Sequence, residues 1–512
     1  MAPSYRVFGW IFPRALALIY IIAFASWSWQ AEALTGEKGI MPVPKFLENA
    51  AAYAQQEGIA AWIQFPTVYW LGYSDAFAQG LFLGACIAAV LVMMGLLQGP
   101  LLLALWFAYL SICTTGNVFM GYQWDALLLE TGFISTLISP WRLFAGRMHD
   151  GLPAPSRVQM LLPQALIFKL MFLSGVVKLT SGDPTWHNFT ALTYHYETQP
   201  IPTWLGWYAH QLPEWFQKVS CFLMFIIEIG MPLLLLIALA WQSIAPGWMR
   251  TIRTMKLFFT GTTAGLMVIT QFTGNYTFFN LLTILLALSA LDDGCWPGSL
   301  KRWLRWTDAP PARPRWQFVA QNVVVAMMLA LSATVVMQNN VPMFEALSAR
   351  LHGITRHLEP FRSVSSYGLF RVMTTERNEI TIEVSDDGVY FQPLEFKWKP
   401  GRLDRAPPFV APHQARLDWQ MWFASFNPGF IPQRDMRNPQ MVWFAGFMGA
   451  LLDHHEAVYA LMEPPPFPIE SIRAVRAKFY RYEFTDAETR RETGAWWTAT
   501  ALGDYSPTFS RQ

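Results

Sequence analysis

Five ionisable residues lie inside long apolar runs: Asp125, Glu130, Lys169, Lys178 and Glu228. A charge in hydrocarbon is costly, so such residues turn inward and pair, and they mark either a polar joint or a reactive centre. A lysine stripped of water can give up its proton and act as a base. Lys178 is the candidate for that chemistry, with Asp125, Glu130, Lys169 and Glu228 as its polar-core partners. With a helical rise of about 1.5 Å per residue, Asp125 and Lys178 fall near the outer ends of their runs. Glu130, Lys169 and Glu228 fall nearer the middle. The expectation is two polar layers, an outer Asp125–Lys178 pair and a middle Glu130–Lys169–Glu228 cluster. Structural glue and an intramembrane proton-handling site are its two readings.

Other chemistries find no pattern. His187, His195 and His210 share an aromatic segment with Tyr194 and Glu197, but their irregular spacing forms no zinc motif. His454-His455-Glu456 reads as the end of a surface helix. No nucleophile elbow, P-loop or dinucleotide fingerprint occurs, so a hydrolase or nucleotide enzyme has no support. Cys86, Cys113 and Cys221 sit in apolar runs and Cys295 just beyond one, with no C-x-x-C. A disulfide scaffold or thiol exchange is therefore not expected. Neither a metal nor a cofactor is expected.

The elements that must hold the five charges follow from composition. The 512 residues are 53% hydrophobic and 14% charged, against roughly 25% charged in soluble domains. The deficit is uneven: residues 1–337 hold 33 charged side chains, and residues 338–512 hold 39. A membrane region over 1–337 and a soluble domain over 338–512 follow. The net charge of +2 points to no nucleic-acid partner. Runs of about 20 apolar residues can cross a bilayer. Candidates are Arg14–Trp29, Ala76–Leu97, Pro100–Gly116, Tyr122–Ser139, Pro163–Thr180, Val219–Ala240, Leu257–Thr273, Tyr276–Leu291 and Phe318–Met337. Eight or nine spans are expected, the first of them an anchor rather than a cleaved signal. With the N-terminus inside, thirteen Lys and Arg residues fall on inner segments and three, Lys38, Lys45 and Lys218, on outer ones. That asymmetry follows the positive-inside rule and puts the soluble domain in a periplasm or an organelle lumen.

Two outer segments are long. Ala31–Asp75 contains a polar, alanine-rich helical stretch. Ser181–Lys218 is aromatic-rich and helix-breaking, suited to the membrane interface or to a binding surface over the bundle. Beyond residue 338, Glu379–Val384 alternates with period two, Asp386-Asp387-Gly388 makes a turn, and Val389–Trp398 completes a hairpin. Helical patterns follow at Gln414–Phe426 and Pro439–Met462, then strands at Ile472–Phe484 and Gly494–Leu502. The fold class is a polytopic α-helical membrane bundle followed by a soluble α+β domain with a β-rich core.

The densest stretch is Leu403–Phe426. A proline-stiffened loop leads into Trp419, Trp422, Phe423 and Phe426, spaced to share one side of a helix. That face reads as core packed on the sheet, with Arg416 and Asp418 paired to position the helix. The client-binding candidates are Arg405, Pro407, Pro408, Phe409, His413, Arg416, Asp418, Trp419 and Trp422, because arginine and aromatic residues anchor interfaces. The proline loop is the better client-facing edge.

Nearly the whole chain resembles the lipase maturation factor family, multi-pass membrane proteins implicated in the folding of secreted lipases. The resemblance is carried by Gln123–Glu130, Ser174–Trp204, Ser366–Gly388 and most specifically Ala411–Phe423, with Pro466-Phe467-Pro468 and Gly494–Trp497. It implies a C-terminal domain that engages client lipases, held in the endoplasmic reticulum membrane of a eukaryote. In a bacterium the inner membrane and periplasm take those places, and the client is left open, a secreted lipase or another exported protein. Gly175–Leu179 is also similar to the helix of vitamin K-dependent carboxylases that bears a catalytic lysine, with Lys178 at that position. Two functions therefore stand: a membrane-anchored maturation factor or chaperone, and a membrane-embedded enzyme using Lys178 on a lipophilic or peptide substrate. The first is favoured.

Overall fold

The computed structural model describes residues 4–144, 155–303, 315–340 and 356–511, apart from 437 and 439. Each apolar run forms a helix. These are α1 (Arg6–Ser28), α2 (Asp75–Met94), α3 (Gln98–Thr115), α4 (Gln123–Ile138), α5 (Arg157–Thr180), α6 (Glu214–Ile244), α7 (Met249–Thr273), α8 (Phe279–Ala287) and α9 (Arg315–Asn340). Among the described residues five of them, α1, α2, α3, α5 and α6, are long and apolar enough to cross a membrane. The larger count expected from sequence is reduced because α4 has 16 residues and α8 only 9, while α7 opens with Arg250, Arg253 and Lys256.

Local signals fix the ends. The Ser74 hydroxyl accepts the Phe77 amide at the start of α2, and Gly95 closes that helix in the left-handed region at φ 88°, where a Cβ is disfavoured. Ser156 and Gln159 form a capping box on α5. Within the bundle α1 packs on α2, α3 on α4, α6 on α7, and α5 on α4, α8 and α9. Phe8, Phe12, Leu16, Tyr20 and Phe24 form a buried stripe down α1 at i, i+4 spacing. A Cβ on Gly132 would lie 2.0 Å from the Tyr20 hydroxyl, so α1 and α4 meet at a contact that needs glycine.

The C-terminal region carries a five-stranded antiparallel sheet: β1 (Arg377–Ser385), β2 (Gln392–Leu394), β3 (Ala474–Phe484), β4 (Trp497–Asp504) and β5 (Phe509–Ser510), ordered β2-β1-β3-β4 with β5 beside β3. The β1–β2 hairpin follows the expected alternation, with Ile380, Ile382 and Val384 fully buried. Helices α10 (Arg416–Ala424) and α11 (Val442–Leu452) cover it. The helix expected over Pro439–Met462 breaks after Leu452, where His454 turns left-handed at φ 59°. The sheet domain is not tethered loosely. Buried apolar residues of the bundle and the sheet domain form one continuous core.

Candidate functional site

The seam between bundle and sheet domain gathers most of the charged and aromatic residues singled out above. Its centre is Arg416, the first residue of α10. The buried guanidinium lies 2.9 and 2.8 Å from the two Asp125 oxygens and also donates to the Phe119 carbonyl. The Tyr109 hydroxyl donates to Asp125 at 2.6 Å. The Trp27 and Tyr122 rings face the cation at 5.4 and 5.7 Å. A planar fork on a carboxylate is the strongest geometry available to such a pair.

This arrangement corrects two expectations. Asp125 does not pair with Lys178; its partner comes from the other domain. Nor does Arg416 pair with Asp418, since residues two apart on a helix point away from each other. Asp418 instead accepts the Trp398 and Lys399 amides at 3.0 and 2.9 Å, tying α10 to the sheet.

Trp419 is buried, but its ring neighbours are Tyr122, Trp124 and Tyr276 of the bundle. The expected face of four rings packed on the sheet is therefore divided. Trp419 faces the bundle, and Trp422 is half-buried with its indole donating to the Thr198 carbonyl at 2.8 Å. Phe423 is exposed, as is Phe426 beyond the end of α10. The loop before α10 is pinned as well. Asn275 accepts the Val410 and Ala411 amides and donates to the Pro408 carbonyl. Gln30 accepts the Arg416 amide and donates to the Gln414 carbonyl. Arg405 donates to the Phe396 carbonyl at 2.6 Å and to the Lys399 carbonyl, and Pro407 is buried. Phe409 and His413 line a cleft of about 310 Å³ with Trp29 and Trp398.

Lys178 meets Glu228, at 2.8 and 2.7 Å to its two oxygens. Glu228 therefore belongs to the Lys178 layer and not to the expected middle cluster. The cause is local. Pro232 has no amide for the carbonyl four residues back, that of Glu228, and Ile226–Gly230 widens into a π turn. Gly175, one turn before Lys178, lets that turn approach; a Cβ there would lie 2.5 Å from Ile229. The middle layer is Glu130 with Lys169, at 2.6 Å. The second Glu130 oxygen accepts the Ser365 amide at 3.0 Å and the Tyr367 hydroxyl at 2.7 Å. Both polar layers are thus built of closed carboxylate–ammonium pairs. Neither the cleft beside His413 nor the groove beside Phe423 reaches Lys178.

One seam residue was not anticipated. Arg377, the first of β1, donates to the carbonyls of Glu197, Gln199 and Pro200 and pairs with Glu379 at 2.6 Å; Lys399 takes the other Glu379 oxygen at 2.6 Å. It fastens the aromatic segment after α5 to the sheet. Its only sequence signal was a charge at the start of an alternating strand. Of the histidines in that aromatic segment, His195 accepts or donates at Tyr276, His187 bonds the Leu179 carbonyl, and His210 lies 3.8 Å from Glu197. Among the described residues no cluster of three or more His, Cys, Asp or Glu side chains could hold a metal ion.

The buried titratable groups of the seam make its stability expected to depend on pH. Burial, with the Arg416 charge adding, lowers the His413 pKa from 6.5 to about 4. Burial and the Lys178 charge do the same to His195. Burial raises Asp418 to about 6. The unfolded chain protonates its histidines near pH 6.5 while the folded chain resists until about 4, so stability falls as pH drops through that window. Asp418 acts with the opposite sign below about 6 and offsets part of the loss. Thermal unfolding at pH 7, 6 and 5 is expected to show the decline, and His413→Gln to flatten it.

A helical membrane region locked to a sheet domain through a buried ion pair and buried hydrogen bonds defines a membrane-anchored two-part protein. Residues 8–297 match the lipase maturation factor transmembrane domain, and residues 363–507 match the lipase maturation factor C-terminal domain. The chain belongs to the lipase maturation factor family. It is 34% identical to lipase maturation factor 2 of Gallus gallus, over 98% of this chain and 81% of the relative. It is 32% identical to lipase maturation factor 2 of Homo sapiens, over 98% and 82%. Identity to lipase maturation factor 1 of Homo sapiens is 31%, over 97% and 87%. No solved structure matches the chain.

Proposed function

We propose that this protein is a membrane-anchored maturation factor that assists the folding or assembly of secreted lipases or similar exported proteins. The observation that carries the reading is the match of both parts of the chain to the family, whose relatives bear that name. A soluble domain that begins at residue 338 and faces the periplasm or the lumen of the endoplasmic reticulum fits the thirteen-to-three loop charges. The client meets the cleft flanked by Trp29, which is 77% exposed, and Phe409, which is 40% exposed. Exposed aromatic rings beside a concave surface are suited to apolar segments of a chain that has not finished folding. His413 and Asp418 line that cleft, and Arg405, Pro407, Pro408, Arg416, Trp419 and Trp422 are assigned with them to the client-binding region.

Site-specific photo-crosslinking in cells that secrete a lipase tests this. A crosslinker at Phe409 is expected to capture the lipase, whereas one at buried Trp419 is expected to link within the chain. Equal capture from both positions, or capture from neither, counts against the assignment.

A further inference from the structure

A second concavity lies across the seam, between the end of α3, the α3–α4 turn and the exposed side of α10. It has a volume of about 470 Å³. We propose that this groove seats a phosphate anion, presented by an anionic phospholipid of the leaflet on the sheet-domain side. The proposal is independent of the client reading above.

Four observations carry it. Arg362 lines the groove and makes no side-chain hydrogen bond or ion pair among the described residues. Its backbone sits in the left-handed region at φ 46°, closing the short turn Glu359–Phe361. Among the described residues no carboxylate lines the groove, and none of them pairs with the guanidinium. Gln420 is 5% exposed, and its Oε1 takes the Tyr122 hydroxyl at 3.4 Å. Its Nε2 has no partner among the described residues and is open to the groove it lines. A phosphate can accept from both the guanidinium fork and the amide.

The surroundings favour a lipid as the bearer of that phosphate. The inner wall of the groove includes Cys113 and Thr114, in the last turn of α3, a helix long and apolar enough to cross a membrane. Phe107 is seven residues before Thr114, two turns down the same side of α3, and is 37% exposed. An acyl chain hanging from the groove would run along that side, about 10 Å below the headgroup. Phe423, 38% exposed, and Met441 add apolar wall beside the donors.

The test uses the full chain in neutral detergent. Phosphatidylglycerol, phosphatidylcholine with the same acyl chains, and inorganic phosphate are titrated separately, with binding read by native mass spectrometry and thermal shift. Phosphatidylglycerol is expected to bind best, and Arg362→Gln to weaken it on the order of tenfold, as expected when a hydrogen-bonded charge is removed. Arg362→Lys should recover part of the loss. Phe423→Asp, at an exposed position, should give a similar loss by putting a carboxylate in the groove without altering Arg362. Protection by inorganic phosphate alone, abolished by Arg362→Gln, supports the anion seat with a free ion as its source. Equal binding of the two lipids, or unchanged phosphatidylglycerol binding in both Arg362→Gln and Phe423→Asp, overturns the proposal.

Discussion

Replacing Arg416 with methionine is expected to cost about 3–5 kcal/mol, the usual penalty for stripping one partner from a buried ion pair. That is a large part of the roughly 5–15 kcal/mol that holds a typical domain folded. The reason is what remains. Asp125 is fully buried and would keep the Tyr109 hydroxyl but lose both arms of the fork. The Phe119 carbonyl would lose its donor as well. Asp125→Asn with Arg416 intact leaves the mirror problem, a buried guanidinium without its anion. The paired variant Asp125→Asn/Arg416→Met carries no stranded charge, and Tyr109 can still donate to the amide oxygen. Thermal unfolding and the yield of full-length protein should drop sharply in either single variant and recover in the double. A double variant as unstable as the singles would mean that the pair is not the fastening.

Arg416 also shows where sequence reasoning stopped. Its charge, the rings after it and the extended loop before it were all legible, and they form an N-terminal helical turn as the spacing implied. Its partner was not, because Asp125 lies 291 residues away in a helix of the other domain. Periodicity tells that Trp419 needs cover; it does not say whether a sheet or a neighbouring helix end supplies it. The same limit applies to Glu228. Depth along an ideal helix placed it with Glu130, but Pro232 deforms the helix locally and turns Glu228 toward Lys178. Hydrophobic runs and strand alternation are properties of a few adjacent residues, so α1–α9 and the β1–β2 hairpin could be read directly. Arg377 stood in a recognisable stretch, yet the three carbonyls it binds belong to a helix end and the turn after it, 177 to 180 residues earlier.

Those pairings give Lys178 a decisive experiment. Lys178→Met is expected to be destabilising by about 3–5 kcal/mol, because Glu228 would be left buried beside an apolar side chain. Loss of lipase maturation in that variant alone would therefore say nothing about chemistry, since too little folded protein would remain. The informative variant is Lys178→Met/Glu228→Met. It removes both charges, keeps similar volume, and by the behaviour of other buried pairs should be close to neutral for stability. If the pair is a joint between α5 and α6, the double variant regains its folded yield and supports secretion of an active client lipase per molecule as the natural chain does. If Lys178 handles a proton, the double variant folds and secretion of active lipase still fails. The first result is expected: both Glu228 oxygens face the ammonium, and Trp186 covers the pair at 5.4 Å. A group paired in that way stabilises two helices against each other.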